Sequence, residues 1–347
     1  MVHPAAKSFA RPATAAKRLS RRPAASADNP AALALPVPAN LIEFMRMYGT
    51  EDACLEALIN ARWPVGFSCP RCDHRKCWRH VKRRLIECSA CGHQTSPTAG
   101  TLLHGAKLEL HKLFLLLYLL VAEKDGSNAR QLQRQVGVNY KTARLWTLKF
   151  RDMLHGRDKD KLTGRVEIDE TIVGGSDGTS RGRRLGENRN YVLIMVEDRG
   201  EHCGRLRLEA IDDAGGDMLR TVVESKVERG STARTDGLAG YRGLPDVGIR
   251  HRAEVVGDPR RASRKFPKVH RVASLLKRVI LGTLQGSQSR GWLPWLLSEF
   301  EFRFNRRRSK KRPLLFARLM EMGLRERARP RHYFAEKGSM FREMGLT

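Results

Sequence analysis

Cys69-Pro-Arg-Cys72 and Cys88-Ser-Ala-Cys91 place four thiols in two Cys-x-x-Cys pairs with fifteen residues between them. Four soft thiolates at this spacing match the tetrahedral shell of a zinc ion. The stretch from Asp73 to Glu87 is long enough to run out and back as a small ribbon, and Pro70 and Gly92 suit the tight turns beside the pairs. A site filled by four protein ligands leaves no position for a substrate, so the zinc is expected to be structural. The chemistry has to lie elsewhere in the chain.

The rest of the composition points to a polyanionic partner. Lys and Arg number 65 against 37 Asp and Glu, a formal charge of +28 over 347 residues. Solubility does not require so one-sided a balance, and nucleic acid is the partner it fits. Beyond the four paired cysteines, Cys54, Cys77 and Cys203 remain. Three cannot all pair with one another, which together with metal-type spacing indicates a reducing cytosol. The longest apolar run, Leu113 to Ala122, has ten residues. That is about half of a bilayer span, so it reads as a buried helix and no membrane partner is expected. Residues 1–38 carry Lys7, Arg11, Lys17, Arg18, Arg21 and Arg22 among Ala, Pro and Ser. They read as a disordered basic tail, with a transit peptide the weaker fit.

Residues 39–62 form a helical lead-in, with Leu41, Phe44, Met45, Leu55 and Leu58 at helical spacing. The zinc ribbon occupies 63–107, and 108–160 is a helix-turn-helix region. In that region Leu132 and Val136 face inward, Gly137 makes the turn, and Ala143 and Trp146 face inward from a second helix. Lys141, Arg144 and Lys149 are expected on its outer face, where they would meet DNA. The same pattern also fits an ordinary helical hairpin with a solvated basic face; the charge of the chain favours DNA.

From residue 164 the period changes. Val166-Glu-Ile168-Asp169 alternates, Tyr191 to Val196 is a continuous apolar run, and Leu206, Leu208 and Ala210 alternate with polar residues. A helix from about Met218 to Val227, a strand from Ser231 to Asp236, and helices over 268–282 and 292–305 follow. The order indicates a mixed α/β domain over 161–312, with 313–347 a C-terminal helical tail. Asp169 and Asp236 each end a predicted strand, 67 residues apart. Carboxylates at the ends of neighbouring strands can converge on divalent metal ions that drive phosphoryl displacement. Taken singly, an Asp after a strand is also ordinary turn chemistry.

From Trp63 to about Arg312 the chain resembles bacterial insertion-sequence transposases of the ISXO type, which join an N-terminal zinc ribbon to a ribonuclease-H-like catalytic domain. The resemblance is carried by Arg62-Trp63-Pro64 with Gly66-Phe67, by Thr98-Ala-Gly100-Thr101, and by Val166-Glu-Ile-Asp169-Glu170-Thr171 with Gly174-Gly175. It continues through Thr235-Asp236-Gly237 with Tyr241, Val269-His270-Arg271-Val272, Leu281-Gly282-Thr283 with Gln285-Gly286, and Glu301-Phe302-Arg303-Phe304-Asn305-Arg306-Arg307. It implies an α/β multidomain protein, Asp169 and Asp236 as the first two members of an acidic active site, and Mg or Mn as its catalytic metal. It implies double-stranded DNA, both transposon ends and target, as partner, a homo-oligomer on that DNA, and a bacterial, nucleoid-associated location in the cytoplasm.

The family pattern places a third catalytic residue, Asn, Glu or His, before a lysine on the helix after His-Arg-Val. Here that stretch reads Ser274-Leu275-Leu276-Lys277, so Leu275 takes the place of the third residue while Lys277 is retained as a phosphate contact. A leucine binds no metal, and the expectation is a transposase of impaired activity. The alternative is a non-catalytic DNA-binding protein, a decayed copy or a repressor. The nearest replacements are His270 on the same helix and Glu299 or Glu301 on the next, the two glutamates reading as surface or arginine-paired groups. Seven basic residues fall within 303–312; Arg303, Arg306 and Arg307 are expected to track phosphates there, while Phe300 and Phe304 face the core.

Overall fold

The computed structural model describes residues 35–80, 83–123, 126–156, 160–174, 189–255, 265–284, 291–308, 314–327 and 329–334. The basic tail, apart from its last four residues, Gly175, Gln285-Gly286 and Lys310, Lys311 and Arg312 lie outside them.

Two short helices open the described chain, α1 (Leu41–Tyr48) and α2 (Glu51–Arg62). Each starts where a side-chain oxygen accepts an otherwise unpaired amide: Asn40 from Glu43, and Thr50 from Ala53. The ribbon follows as β1 (Cys77–His80), β2 (Leu85–Cys88) and β3 (Gln94–Thr95), paired antiparallel in that order. The apolar run becomes α3 (Leu110–Ala122), buried along nearly its whole length. Next come α4 (Ala129–Val136) and α5 (Tyr140–Leu154), capped by Asn128 and Asn139. Gly137 joins them at φ +68°, a left-handed conformation that favours glycine. Leu132, Val136, Ala143 and Trp146 are buried, as their spacing predicts.

The second half is one mixed sheet. Its strands are β4 (Arg165–Gly174), β5 (Arg189–Arg199), β6 (His202–Ile211), β7 (Thr232–Thr235) and β8 (Arg250–Ala253), in spatial order β6-β5-β4-β7-β8. β4, β5 and β6 pair antiparallel, whereas β7 runs parallel to β4 and β8 parallel to β7. This is the ribonuclease-H-like mixed sheet that the resemblance implies.

Both faces of the sheet are covered. On one, Val192, Ile194 and Val196 pack against Val269, Val272 and Leu276 of α7 (Pro267–Arg278) and Leu296, Phe300 and Phe304 of α8 (Leu293–Asn305). On the other, Tyr191, Leu193 and Met195 meet Leu219 and Val223 of α6 (Gly216–Lys226) and Tyr241. That alternation is the period-two geometry of a strand buried on both sides, which a continuous apolar run in the sequence signals. Helix α9 (Leu314–Arg325) brings Phe316 into an aromatic cluster with Phe44, Tyr48, Phe114 and Tyr118.

Candidate active site and metal centres

β4 carries Glu167 and Asp169 two residues apart, so both point to the face covered by α7. The β4–β7 ladder sets Val166 beside Ala233 and Glu167 beside Arg234. Two further steps of the same register bring Asp169 alongside Asp236, the residue that follows β7. The turn holding Asp236 is fixed from both sides. Its Oδ1 accepts the Leu238 amide at 3.0 Å, and the buried Thr235 hydroxyl lies 2.8 Å from His251 Nε2. Gly237, at φ +90°, lets the chain reverse there.

The two carboxylates feel each other. Burial, with the charge of Asp236 added to it, pushes the Asp169 carboxyl up to about 6, while the Glu170 amide and the Lys277 ammonium oppose the rise. Glu170 is also pushed up, chiefly by burial. Its neighbour is the fully buried Tyr241, and neither the Tyr241 hydroxyl nor Glu170 Oε1 reaches hydrogen-bond geometry with a partner.

Helix α7 closes the site. His270 Nε2 lies 4.0 Å from Asp169 Oδ2. Seven residues on, two turns along the helix, Lys277 projects from the same side. Leu275 does not share that side. It lies about 200° around the helix from Lys277 and packs against the core with Leu276 and Val279. On α7 it is His270, not Leu275, that lies beside Asp169. A residue that sequence reasoning missed puts α7 there. Glu167, fully buried, accepts the amides of Lys268 and Val269 at 2.8 and 3.1 Å, and lies 3.5 Å from Arg234. A carboxylate at a helix N-terminus meets both the free amides and the positive end of the dipole. The signal was only a Glu two residues before the Asp, which fits any alternating strand.

Raising an acid's pKa on folding has a cost that depends on pH. Well below the ordinary 3.8 Asp169 is protonated in both folded and unfolded chains and costs nothing. As pH rises past the ordinary 3.8 towards about 6, the unfolded chain gives up its proton first, and stability falls. The loss at neutral pH is on the order of 2–3 kcal/mol. In buffer without added Mg²⁺ or Mn²⁺, Asp169→Asn is therefore expected to be more stable than the parent by roughly that amount at pH 7.5 and nearly equal to it at pH 4. Urea melts at the two pH values check this; equal stability at pH 7.5 refutes it.

The ribbon cysteines converge. The sulfurs of Cys69, Cys72, Cys88 and Cys91 all lie within 4.8 Å of one another. Cys69–Cys91, Cys72–Cys88 and Cys72–Cys91 are separated by 3.7, 3.6 and 3.4 Å. Zinc–sulfur bonds of about 2.3 Å in a tetrahedron require sulfurs about 3.8 Å apart, so the donor set fits zinc. Both knuckles have one design: Asp73 and Gly92 donate back to the carbonyls of Cys69 and Cys88, and both take positive φ.

Residues 161–305 match the ISXO2-like transposase domain, and residues 49–94 match the transposase zinc-ribbon domain. The chain belongs to the ISXO2-like, zinc-ribbon transposases. Among solved structures the transposase is similar to a chain of the crystal structure of the Mos1 strand transfer complex, at 15% identity and a TM-score of 0.26, over 60% of this chain and 78% of that one. So loose a likeness bears no weight here. No curated protein matches. No helix among the described residues is long and apolar enough to cross a membrane.

Several residues expected to touch DNA do other work in the transposase. Lys141 and Arg144 are exposed on the first turns of α5. Lys149 is not: it is buried, with its ammonium 4.5 Å from the Trp146 ring centre, and burial pushes its pKa down. Five residues beyond Arg144 the helix has rotated about 140°, which carries Lys149 off the exposed face that holds Lys141 and Arg144. The arginines at the end of α8 are likewise engaged. Arg303 pairs with Glu299 at 3.3 Å and donates to the Glu123 carbonyl. Arg306 lies over the Phe302 ring and Arg307 over Phe304, at 4.1 and 3.8 Å, and both donate to carbonyls at the helix end. Arg307 also donates to the Cys203 carbonyl. The orphan carbonyls of a helix C-terminus draw these guanidinium groups inward. Glu299 and Glu301 are buried and arginine-paired, to Arg151 at 2.6 Å and Arg207 at 3.0 Å, and take no part in the acidic centre. Phe300 and Phe304 face the core, as expected.

Proposed function

We propose that this transposase binds the ends of its element as duplex DNA, cleaves a strand at an active site made of Asp169, Asp236 and His270, and joins the freed 3′ end to target DNA. The observation that carries the reading is the pairing of two charge-coupled carboxylates on adjacent parallel strands with His270 and Lys277 facing them from α7. Asp169, Asp236 and His270 offer the oxygen and nitrogen donors that Mg²⁺ or Mn²⁺ accepts, and such an ion supplies Lewis acidity at the scissile phosphate. The chain's own groups do the rest. Burial strengthens the hold of Asp169 on its proton, and a bound cation would reverse that by favouring the carboxylate. Lys277 offers a point charge to a phosphate oxygen. In the first step a water oxygen bonds to phosphorus and the 3′ oxygen leaves as a hydroxyl. In the second that hydroxyl attacks a target phosphodiester, and the target's own 3′ oxygen leaves. Both steps break and form the same kind of bond, so one site serves both.

Transposon ends come in pairs, so the active species is an oligomer of at least two protomers on DNA, in the bacterial cytoplasm. End recognition falls to the ribbon and to the exposed start of α5, where Lys141 and Arg144 lie as a recognition helix would present them.

The test is cleavage of DNA carrying the element's flanking inverted repeats in Mg²⁺ or Mn²⁺. Strand cleavage is expected, and His270→Ala is expected to lower it about a hundredfold or more with end binding retained. End binding without cleavage by the parent protein would refute the catalytic reading and leave the non-catalytic DNA-binding alternative. Leu275, the feature that favoured that alternative, is half-buried against the core on another side of α7 from His270 and Lys277.

A further inference from the structure

We propose that the outward face of α7 is the track along which the reacting DNA strand passes the acidic centre, with Arg271 and Arg278 holding its phosphates and Arg308 continuing the path. The inference rests on the catalytic reading for its direction but on separate observations for its existence. Exposed positions on α7 are 267, 271, 274, 277 and 278, of which 267, 271, 274 and 278 form one helical stripe with Lys277 beside it. The stripe is Pro267, Arg271, Ser274 and Arg278, and α7 contains no acidic residue. Among the described residues, none of Arg271, Arg278 and Arg308 forms an ion pair, whereas Arg303 does. Arg271 and Arg308 both lie near enough to Arg307 to repel its charge. Three guanidinium groups gathered without an acid are matched by a polyanion.

The placement agrees with the chemistry. Arg271 follows His270 and Arg278 follows Lys277, each a single helical step from a residue turned towards Asp169. Seven residues of helix rise about 10.5 Å. At about 3.4 Å of axial rise per nucleotide in one strand, that spans roughly three nucleotides. The two arginines therefore bracket a window of about three nucleotides beside the carboxylates. The basic strip expected at 303–307 is replaced by one on the neighbouring helix, because the α8 arginines are drawn onto that helix's own carbonyls and rings.

The experiment is a salt titration of full-length protein on a fluorescein-labelled, mixed-sequence 30-base-pair duplex. Arg271→Ala/Arg278→Ala is expected to flatten the slope of log affinity against log salt by about 1.4–1.8, that is 0.7–0.9 per phosphate contact. Both side chains are exposed, so thermal unfolding should match the parent. A photo-reactive aryl azide on Ser274→Cys should crosslink to the duplex. An unchanged slope with no crosslink overturns the track, whether or not the parent cleaves DNA. A flattened slope with a crosslink supports it, and does so even if the parent proves unable to cleave; in that case only the catalytic reading falls.

Discussion

Asp169→Ala and Asp236→Ala are each expected to lower metal-dependent strand cleavage at least about a thousandfold while leaving binding of transposon-end DNA within about threefold of the parent. A thousandfold corresponds to about 4 kcal/mol of barrier. That is the upper end of what a single preorganised polar group contributes to a transition state, and a shared metal ligand contributes no less. Binding is expected to survive because affinity for DNA comes from phosphate contacts spread over a surface of charge +28. Removing one carboxylate from so basic a surface would strengthen that attraction slightly. The assay is single-turnover cleavage of a labelled end with Mn²⁺, run beside a gel-shift titration. Cleavage by Asp169→Ala at the parental rate would place the chemistry elsewhere.

The second large effect concerns the ribbon. Cys88→Ser is expected to abolish stoichiometric zinc binding, one ion per chain by a colorimetric release assay, and to unfold the ribbon. Among the described residues from Trp63 to Thr95, around the three strands, the buried ones are few: Phe67, Cys69, Ile86, Cys88 and Thr95. So small an apolar core cannot offset the entropy of ordering the segment. Structural zinc in comparable small modules is worth about 10–16 kcal/mol, as much as a whole domain's stability. The damage should spread into the helices, since Arg84 pairs with Glu51 at 2.6 Å, Arg79 with Glu56 at 2.7 Å, and Arg62 donates to the carbonyls of Pro97 and Ala99. A Cys88→Ser protein with the parent's melting temperature and zinc content would show that the ion plays no structural part.

Much of this architecture was legible because its signals are local. The Cys-x-x-Cys pairs declare a metal by spacing, Gly137 between two apolar stripes declares a turn, and the run Tyr191 to Val196 declares a strand covered on both faces. Strand β8 was not legible. Its Arg-His-Arg-Ala sequence has no apolar alternation, since it is a short edge strand whose one neighbour among the described strands is β7. The two aspartates could be picked out, but their meeting depends on a parallel pairing between strands far apart in the chain. The side of α7 that meets Asp169 was not legible either, because a helix face is set in three dimensions: His270 and Leu275 differ by five residues, which is about 140° of rotation. Charge misled in the same way at 303–307, where composition shows how many arginines there are but not which have partners.

The separation of Asp169 and Asp236 belongs to a ladder of backbone hydrogen bonds between β4 and β7. Neighbouring strands lie about 4.8 Å apart whatever joins them. The intervening chain, with β5, β6 and α6, can therefore gain or lose residues at its surface bends without stretching the gap between the acids. Spacing along the gene is a poor ruler for such a centre, and relatives with quite different intervals between these two residues should preserve the same span across it.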